Sequence, residues 1–219
     1  MALLEPRVDR IAPEPSEPSP DRAPDWVAEG TPEPLRSDLV ELLGDDRVLA
    51  RALDLVRYAS DASPYRLIPK AVVMARDVDD VAKLFGYARS TGTPVTFRAG
   101  GTSLNGQSQG DGILVDARQH WRGIAVEDGG ERVRVGCGTV LGHVNRVLGE
   151  HQRKLGPDPA SKDIACVGGV VANNSGGMRC GVTHDSYMTV RAMKLVLASG
   201  TVIDTAAPDA EQRFAAAEP

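Results

Sequence analysis

Residues 98–107 read RAGGTSLNGQ and directly follow a strand-like run, Val95–Arg98. Consecutive glycines allow a backbone to turn its N–H groups inward, which creates a concavity that accepts phosphate oxygens without obstruction from side chains. The hydroxyl groups of Thr102 and Ser103 are expected to add donors to the same concavity. The stretch therefore predicts a phosphate-binding loop, and a flexible surface turn is the alternative.

A second run of small residues lies further along the chain. It reads GPDPAS at residues 156–161 and VGGVVANNSGG at residues 167–177. Small residues permit close approach of a backbone, and the polar side chains at 173–175 supply contacts. Two such runs on either side of a sheet segment predict opposite walls of one cleft for a dinucleotide. Close packing of a small-residue helix on the sheet is the alternative, and both interpretations can hold together.

The residues before the first loop predict a strand, a helix and a second strand. A short strand is expected at Ala71–Ala75, followed by a helix that Asp77 caps and Gly92 ends. The helix has an apolar face of Val78, Val81, Leu84, Phe85 and Ala88. Because a long helical crossover joins Ala71–Ala75 to Val95–Arg98, these strands are expected to form a parallel pair.

The residues after the first loop favour hairpins and one more helix. Turn signals occur at Asp128-Gly129-Gly130 and at Ser199-Gly200. The expected strands are Gly112–Asp116, Gly123–Glu127, Arg132–Cys137, Arg191–Ala198 and Thr201–Asp204, and the expected helix is Val140–Glu150. The predicted fold class is α+β, with mixed sheets flanked by helices.

The N-terminal part of the chain differs in composition from the rest. Eight of the 15 prolines lie between Pro6 and Pro34, among charged residues and serine. Such a segment cannot bury enough apolar surface to offset its ordering entropy, so residues 1–34 are predicted to be a disordered tail. Residues 35–68 are predicted to be an N-terminal helical segment, and residues 69–219 to be the main domain.

The helical segment is expected to contain two helices. The first has Leu39, Leu42 and Leu43 before Gly44, with Ser37 or Asp38 as its cap. The second has Asp45 or Asp46 as its cap and carries apolar residues at helical spacing: Val48, Leu49, Leu53 and Val56.

Composition and charge exclude several classes of function. The chain has 219 residues, 42% hydrophobic and 25% charged residues, and a net charge of -5, so it offers no basic field for nucleic acid. No apolar run reaches the roughly 18 residues that a membrane span requires. The three widely spaced cysteines, Cys137, Cys166 and Cys180, indicate a reducing compartment, so a cytoplasmic protein is expected.

The chain from Pro69 to Asp204 resembles the FAD-binding domain of the vanillyl-alcohol oxidase and p-cresol methylhydroxylase (PCMH-type) superfamily. Within it, the chain is most similar to FAD-linked D-lactate and other D-2-hydroxyacid dehydrogenases, including long forms with an iron–sulfur segment. Three strings carry the resemblance by their joint order and spacing: RAGGTSLNGQ (98–107), GPDPASKDIACVGGVVANNSGG (156–177) and CGVTHDSYMTVRAMKLVLASGTVIDT (180–205).

The resemblance implies an FAD-dependent oxidoreductase in which flavin accepts hydride from a D-lactate-like 2-hydroxyacid. In such proteins the first loop holds the FAD pyrophosphate and the second wraps the flavin side. Carried over, this implies pyrophosphate contacts from Ala99, Gly100, Gly101, Thr102 and Ser103. It implies flavin-side contacts from Pro157, Ser161, Gly168, Gly169, Asn173, Gly177 and Val182. Catalytic residues are not identified, and no metal site is expected.

Two departures from the family pattern change these expectations. Some members attach FAD covalently through a histidine just after the Gly-Gly pair, and Thr102 stands there, so the resemblance implies non-covalent FAD. Cys166 lies in the second run and is expected to be a small buried thiol. Family members also continue into a cap domain, so an incomplete domain is expected, with a partner chain as one source of the cap or of an electron acceptor.

Other patterns and functions remain as alternatives. Gly136-x-Gly138-x-x-x-Gly142, with Asp158 further on, imitates a nicotinamide fingerprint, but its spacing is one residue too long. The four histidines, His120, His143, His151 and His184, lack metal-ligand spacing, and His184 alone is placed near the flavin, with a surface role favoured. A non-catalytic or vestigial flavin-binding subunit is the main alternative function.

Overall fold

In the computed structural model, which describes residues 23–217, the glycine-rich loop leaves the carboxyl edge of a four-stranded sheet. Its strands are β1 (Val48–Leu49), β2 (Ala71–Val73), β3 (Val95–Arg98) and β4 (Ile113–Asp116), in the order β1-β2-β4-β3. Strand β4 is parallel to both neighbours, whereas β1 is antiparallel to β2. The predicted mixed sheet is confirmed. The expected direct pairing of β2 with β3 is wrong, because β4 lies between them.

Strands β2 and β4 bury side chains on both faces of the sheet. Val73 and Val115 belong to a cluster that includes Leu39 of helix α1 (Leu35–Leu43) and Leu84 of helix α3 (Val78–Thr91). Val72 and Leu114, one residue earlier in each strand, pack on the other face against Leu55 and Tyr58. This alternation follows from the two-residue period of a strand. Burial on both faces is typical of parallel strands.

Helix α3 begins and ends where the sequence predicts. The Asp77 side chain accepts a hydrogen bond from the Asp80 N–H, and Gly92 ends the helix with φ 67°. Val81 and Leu84 are its buried apolar residues. The helix therefore carries the chain from β2 back to the start of β3.

The second half of the chain contains the predicted hairpins and helix. Strands β5 (Ile124–Glu127) and β6 (Arg132–Val135) pair antiparallel across residues 128–130. Strands β7 (Lys194–Val196) and β8 (Val202–Asp204) form the second hairpin. The helices here are α4 (Leu141–Gly149), α5 (Val167–Ala172), α6 (Ser186–Thr189) and α7 (Ala210–Ala217). Between residues 23 and 217, no helix has the length and apolar character to cross a membrane.

The N-terminal region differs from its prediction. Residues 1–22 of the predicted tail lie outside the described residues, whereas residues 23–34 include a 3-10 helix, Asp25–Glu29, with Val27 buried. The Thr31 N–H donates to the Ala50 carbonyl at 2.7 Å, which ties this stretch to the domain. Packing onto a neighbouring segment supplies the burial that its own composition lacks.

The predicted helical segment 35–68 is only partly helical. Helix α1 begins at Leu35, before Ser37 and Asp38, and Pro34 occupies its cap position. The expected helix across Val48 and Leu49 is wrong, because these residues form β1 and pair with Val73 and Val72. Asp45 and Asp46 lie in a short 3-10 helix, Asp45–Arg47, and helix α2 spans only Ala52–Arg57. A non-local partner strand has overridden the local periodicity.

Replacement of the helix cap, Asp77→Ala, should lower the free energy of unfolding by about 1 kcal/mol, because the first turn of α3 loses a side-chain acceptor. Chemical denaturation measures the change. Asp79→Ala is the control, since Asp79 is exposed in the same turn and is not the cap. Equal destabilisation by the two variants would contradict the capping role of Asp77.

Candidate functional site

The glycine-rich loop presents backbone N–H groups that the protein leaves unpaired. Among residues 23–217, the N–H groups of Gly101, Thr102 and Ser103 make no hydrogen bond. Gly101 has φ +64°, and a Cβ built there would lie 2.8 Å from the Arg98 Nη2 atom. A side chain at this position would therefore be strained and would collide with Arg98. The loop therefore has three backbone donors available to an acceptor outside the protein.

The Ser103 hydroxyl holds the loop together. Its oxygen accepts hydrogen bonds from the Asn105 and Gln107 N–H groups, each at 3.2 Å, and the hydroxyl lies 3.0 Å from the Gln107 Oε1 atom. Its proton is thus directed at Gln107 within the loop. The backbone, more than this hydroxyl, supplies the free donors.

The first loop and the segment 163–166, which joins the two parts of the second run, meet at one cleft. A Cβ built on Gly100 would lie 2.5 Å from the Ile164 carbonyl oxygen, so only glycine allows this approach. The cleft has a volume of about 250 Å³ and is lined by Gly100, Arg118, Arg122, Gly138, Val140, Asp163, Ile164 and Cys166. The first loop and the segment 163–166 thus form walls of the same cavity.

The site residues predicted from the sequence occupy different positions relative to this cleft. Gly100 lines it, and the Ser161 carbonyl accepts hydrogen bonds from the Ile164 and Ala165 N–H groups at 2.8 and 2.7 Å, which shapes the opposite wall. Ala99, Gly101, Thr102 and Ser103 continue the first loop from Gly100. The rest lie beyond the lining: Pro157 is buried, Gly177 lies against Asp158, Gly168 lies against Cys137, and Gly169, Asn173 and Val182 are exposed.

Gly168 confirms the packing interpretation of the second run. Its N–H donates to the Cys137 carbonyl at 2.9 Å, and a Cβ built on it would lie 2.7 Å from the Cys137 Cβ. Gly169, in contrast, has no atom within 4 Å of such a Cβ. Helix α5 therefore packs through Gly168 on the turn that follows β6, and it leaves Gly169 open to solvent.

A buried ionic cluster that the sequence analysis missed lies beside the first loop. Asp116, at 0% exposure, accepts hydrogen bonds from the Tyr58 hydroxyl at 2.5 Å and from the Arg118 Nη2 atom at 2.7 Å. Burial opposes ionisation of Asp116, but the hydrogen bonds from Arg118 and Tyr58 lower its pKa overall. The hydrogen bond to Asp116 in turn raises the pKa of Arg118. Polar residues at the carboxyl end of a buried parallel strand are the sequence signal that would have identified Asp116 and Arg118.

Arg98 connects this cluster to the loop. Its Nη1 atom donates to the Tyr58 carbonyl at 3.0 Å, and its guanidinium lies 5.5 Å from the centre of the Tyr58 ring. Burial and the nearby charge of Arg118 lower the pKa of Arg98. A Cβ built on Gly101 would lie 2.8 Å from the Arg98 Nη2 atom, so the guanidinium lies close to the part of the loop that has unpaired N–H groups.

The two cysteines near the cleft are free thiols. Burial raises the pKa of Cys166, which is 2% exposed, and also that of Cys137, to which the proximity of Cys166 contributes. A raised pKa reduces the thiolate fraction and with it nucleophilic reactivity. These residues pack as small apolar side chains, as the sequence predicted for Cys166.

The geometry does not support the nicotinamide fingerprint. The strand before it, β6, pairs antiparallel with β5 in a hairpin. The N–H groups of Gly136 and Gly138 donate to the Gly123 and Trp121 carbonyls at 3.0 and 2.8 Å. Because these donors are already paired, they are not available to a phosphate.

His184 lies at an exposed position close after the second run. Its Nδ1 atom is 3.0 Å from the Thr183 hydroxyl, and its backbone N–H donates to the Cys180 carbonyl at 3.2 Å. These local contacts accord with the surface role favoured from the sequence.

Comparison with known proteins gives a family match and several relatives. Residues 69–206 match the family described as FAD binding domain. The chain is 37% identical over 144 residues to D-2-hydroxyglutarate dehydrogenase of Pseudomonas putida, and the aligned part makes up 63% of this chain and 14% of that protein. It is 28% identical over 177 residues to glycolate oxidase subunit GlcD of Bacillus subtilis, and this aligned part makes up 78% of this chain and 37% of that protein. The chain thus spans well under half the length of these relatives.

A solved structure shares the fold. The crystal structure of p-cresol methylhydroxylase with substrate bound superposes with a TM-score of 0.62 and 23% sequence identity, over 77% of this chain and 34% of that one. At this identity the likeness establishes the fold alone. The predicted PCMH-type fold is thereby confirmed.

Removal of the buried hydroxyl, Tyr58→Phe, should lower the free energy of unfolding by about 1.5 kcal/mol, because Asp116 loses one of its hydrogen bonds in the interior. Denaturant titration measures this loss. Tyr65→Phe is the matched control, since the Tyr65 side chain is 60% exposed. A Tyr58→Phe variant as stable as the control would contradict the importance of this hydrogen bond.

Acid should weaken the cluster through Asp116. Because the folded-state pKa of Asp116 is lowered from its ordinary 3.8, its stabilisation is present above that pH and is lost as the pH falls through the lowered value. The free energy of unfolding, measured from pH 5 downwards, should fall more steeply in the parent than in Asp116→Asn. Parallel pH profiles would show that this carboxylate does not contribute.

Proposed function

Since this chain belongs to the FAD binding domain family, we propose that it binds FAD non-covalently as the cofactor module of an oxidoreductase acting on a D-2-hydroxyacid. The observation that carries the proposal is the set of unpaired N–H groups at Gly101, Thr102 and Ser103, beside the cleft that Gly100 and Ile164 wall. Oriented N–H groups without obstructing side chains suit a diphosphate.

The residues of both runs fit an extended dinucleotide. Residues 99–103 would hold the diphosphate through their backbone, with Arg98 and Arg118 supplying positive charge nearby. The flavin side would meet the second run, at Pro157, Ser161, Gly168, Gly169, Asn173, Gly177 and Val182. The exposure of Gly169, Asn173 and Val182 supports this, because they leave a surface that a planar ring system can cover.

Two residues favour non-covalent binding. Thr102 occupies the position at which some relatives carry a tethering histidine, and a threonine hydroxyl is a poor nucleophile at neutral pH. Cys166 lines the cleft, but burial raises its pKa and keeps it a thiol. Release of all flavin on denaturation would be the expected behaviour.

The substrate class rests on the relatives. D-2-hydroxyglutarate dehydrogenase and a glycolate oxidase subunit both have names that specify 2-hydroxyacids. Bound FAD would supply the hydride acceptor for the carbon that carries the hydroxyl group. The contribution of residues 23–217 is to bind and orient the cofactor. We propose that a partner polypeptide provides the cap domain or electron acceptor, and that the protein acts in the cytoplasm, where its three free cysteines stay reduced.

A non-catalytic flavin-binding subunit is the second candidate function. It is favoured by the kind of donor beside the cleft, because backbone N–H groups can bind a cofactor without taking part in proton transfer. Both candidates require bound flavin, so they differ only in whether substrate reduces it.

Spectroscopy of the purified chain with added FAD separates these functions. We expect a flavin absorption band that stays with the protein on gel filtration and is bleached anaerobically by D-2-hydroxyglutarate, D-lactate or glycolate. Retained flavin without bleaching would support the non-catalytic subunit. A chain that takes up no FAD would contradict both.

Side chains placed in the loop should abolish FAD retention. Gly101→Val forces a branched residue into φ +64° and against Arg98, and Gly100→Ala pushes a methyl group into the Ile164 carbonyl. We expect at least ten-fold weaker FAD binding for each, measured by fluorescence titration. Gly86→Ala in α3 is the control, because a Cβ there meets no atom within 4 Å and the helix tolerates alanine. Undiminished binding by Gly101→Val would place the cofactor elsewhere.

A further inference from the structure

We propose that residues 58–65, which precede the family-matched region 69–206, act as positioning residues of the cofactor site by holding the glycine-rich loop in its phosphate-binding shape. The inference rests on the proposed function and extends it to a segment outside the family match. We call residues 58–65 the clamp segment.

The first attachment fixes the peptide unit between Gly101 and Thr102. The Ala62 N–H donates to the Gly101 carbonyl at 3.0 Å. In a planar trans peptide, the carbonyl of one residue and the N–H of the next point in opposite directions. Holding the Gly101 carbonyl on the clamp segment therefore turns the Thr102 N–H away from it. The attachment sets the direction of one of the three unpaired donors.

The second attachment holds residues 108–109, directly after the loop, through Asp61. The Asp61 carboxylate accepts hydrogen bonds from the Ser108 hydroxyl at 2.7 Å, the Gln109 Nε2 atom at 2.6 Å and the Ser63 N–H at 2.8 Å. Burial opposes ionisation, but these donors lower the pKa of Asp61 to about 2. The carboxylate is therefore charged at neutral pH and retains all three bonds.

Gln109 and Tyr58 complete the clamp. Gln109 is 6% exposed, and its Nε2 atom also donates to the Tyr65 carbonyl at 2.9 Å. At the start of the loop, Arg98 donates to the Tyr58 carbonyl. The clamp segment thus contacts the strand end before the loop, the loop at Gly101 and the residues at 108–109.

These contacts explain how the loop stays ordered although it has no strand-to-strand hydrogen bonding of its own. Among residues 23–217 the N–H groups of Gly101, Thr102 and Ser103 have no acceptor, and glycines at 100, 101 and 106 leave the backbone free to adopt other conformations. Binding through a loop that must first become ordered loses affinity, whereas a preorganised loop avoids this loss. Weakening the clamp segment should therefore weaken FAD binding without removing any group that touches FAD.

The variants compare loss of the carboxylate with its conservative replacement. Asp61→Ala removes all three acceptor interactions, whereas Asp61→Asn keeps an oxygen acceptor and offers an N–H to Ser108. Asp38→Ala is the matched control, because it removes one hydrogen bond, from the Tyr87 hydroxyl at 2.9 Å, in a part of the domain that does not touch the loop.

Two measurements on the full chain test the proposal. Hydrogen–deuterium exchange without FAD should show faster exchange of the hydrogen-bonded amides of Asn105, Gln107 and Gln109 in Asp61→Ala alone. FAD and ADP titrations should show about ten-fold weaker binding of both by Asp61→Ala, near-parent binding by Asp61→Asn, and parent binding by Asp38→Ala. If Asp61→Ala leaves both exchange and FAD affinity unchanged while the parent binds FAD, the clamp proposal is overturned and the proposed function is not. A parent that binds no FAD would overturn the proposed function, and faster loop exchange in the alanine variant would then still establish the clamp as structural only.

Discussion

Where β3 and β4 end, parallel pairing sets Arg98 directly beside Asp116, and the surrounding site depends on this register. Parallel strands bring their carboxyl ends to one edge of the sheet. The glycine-rich loop leaves from Arg98, and the turn that carries Arg118 leaves from Asp116. A slip of one residue in this pairing would turn one of these two side chains to the opposite face of the sheet and separate the loop from its charged support.

Charge at this edge is arranged so that the backbone remains free to bind. Asp116 is fully buried and would be costly to ionise alone, but Arg118 and Tyr58 satisfy its oxygens. Arg98 is in turn held by the Tyr58 carbonyl and ring. The cations therefore have fixed positions close to a loop in which the N–H groups of Gly101, Thr102 and Ser103 are unpaired. This combination of positive charge and free donors is what an anion-binding loop requires.

The opposite wall of the cleft comes from a distant part of the chain that packs through small residues. Gly168 brings α5 against Cys137, and Gly100 comes to the Ile164 carbonyl. Close packing and cofactor binding are thus compatible in this part of the fold, since a glycine that admits a neighbouring backbone also brings the two walls of the cleft together.

The sequence by itself determined the elements whose causes are local. Asp77 begins α3 and Gly92 ends it, and turn residues at 128–130 close the β5–β6 hairpin. The stretch RAGGTSLNGQ forms a loop that leaves backbone donors unpaired. Tertiary structure alone decided the rest. Val48 and Leu49 have helical spacing but form a strand because Val73 and Val72 offer a ladder, and β4 lies between β2 and β3. Tyr58, Asp61 and Asp116 gain their roles from partners far away in the chain, and periodicity and spacing carry no information about such pairs.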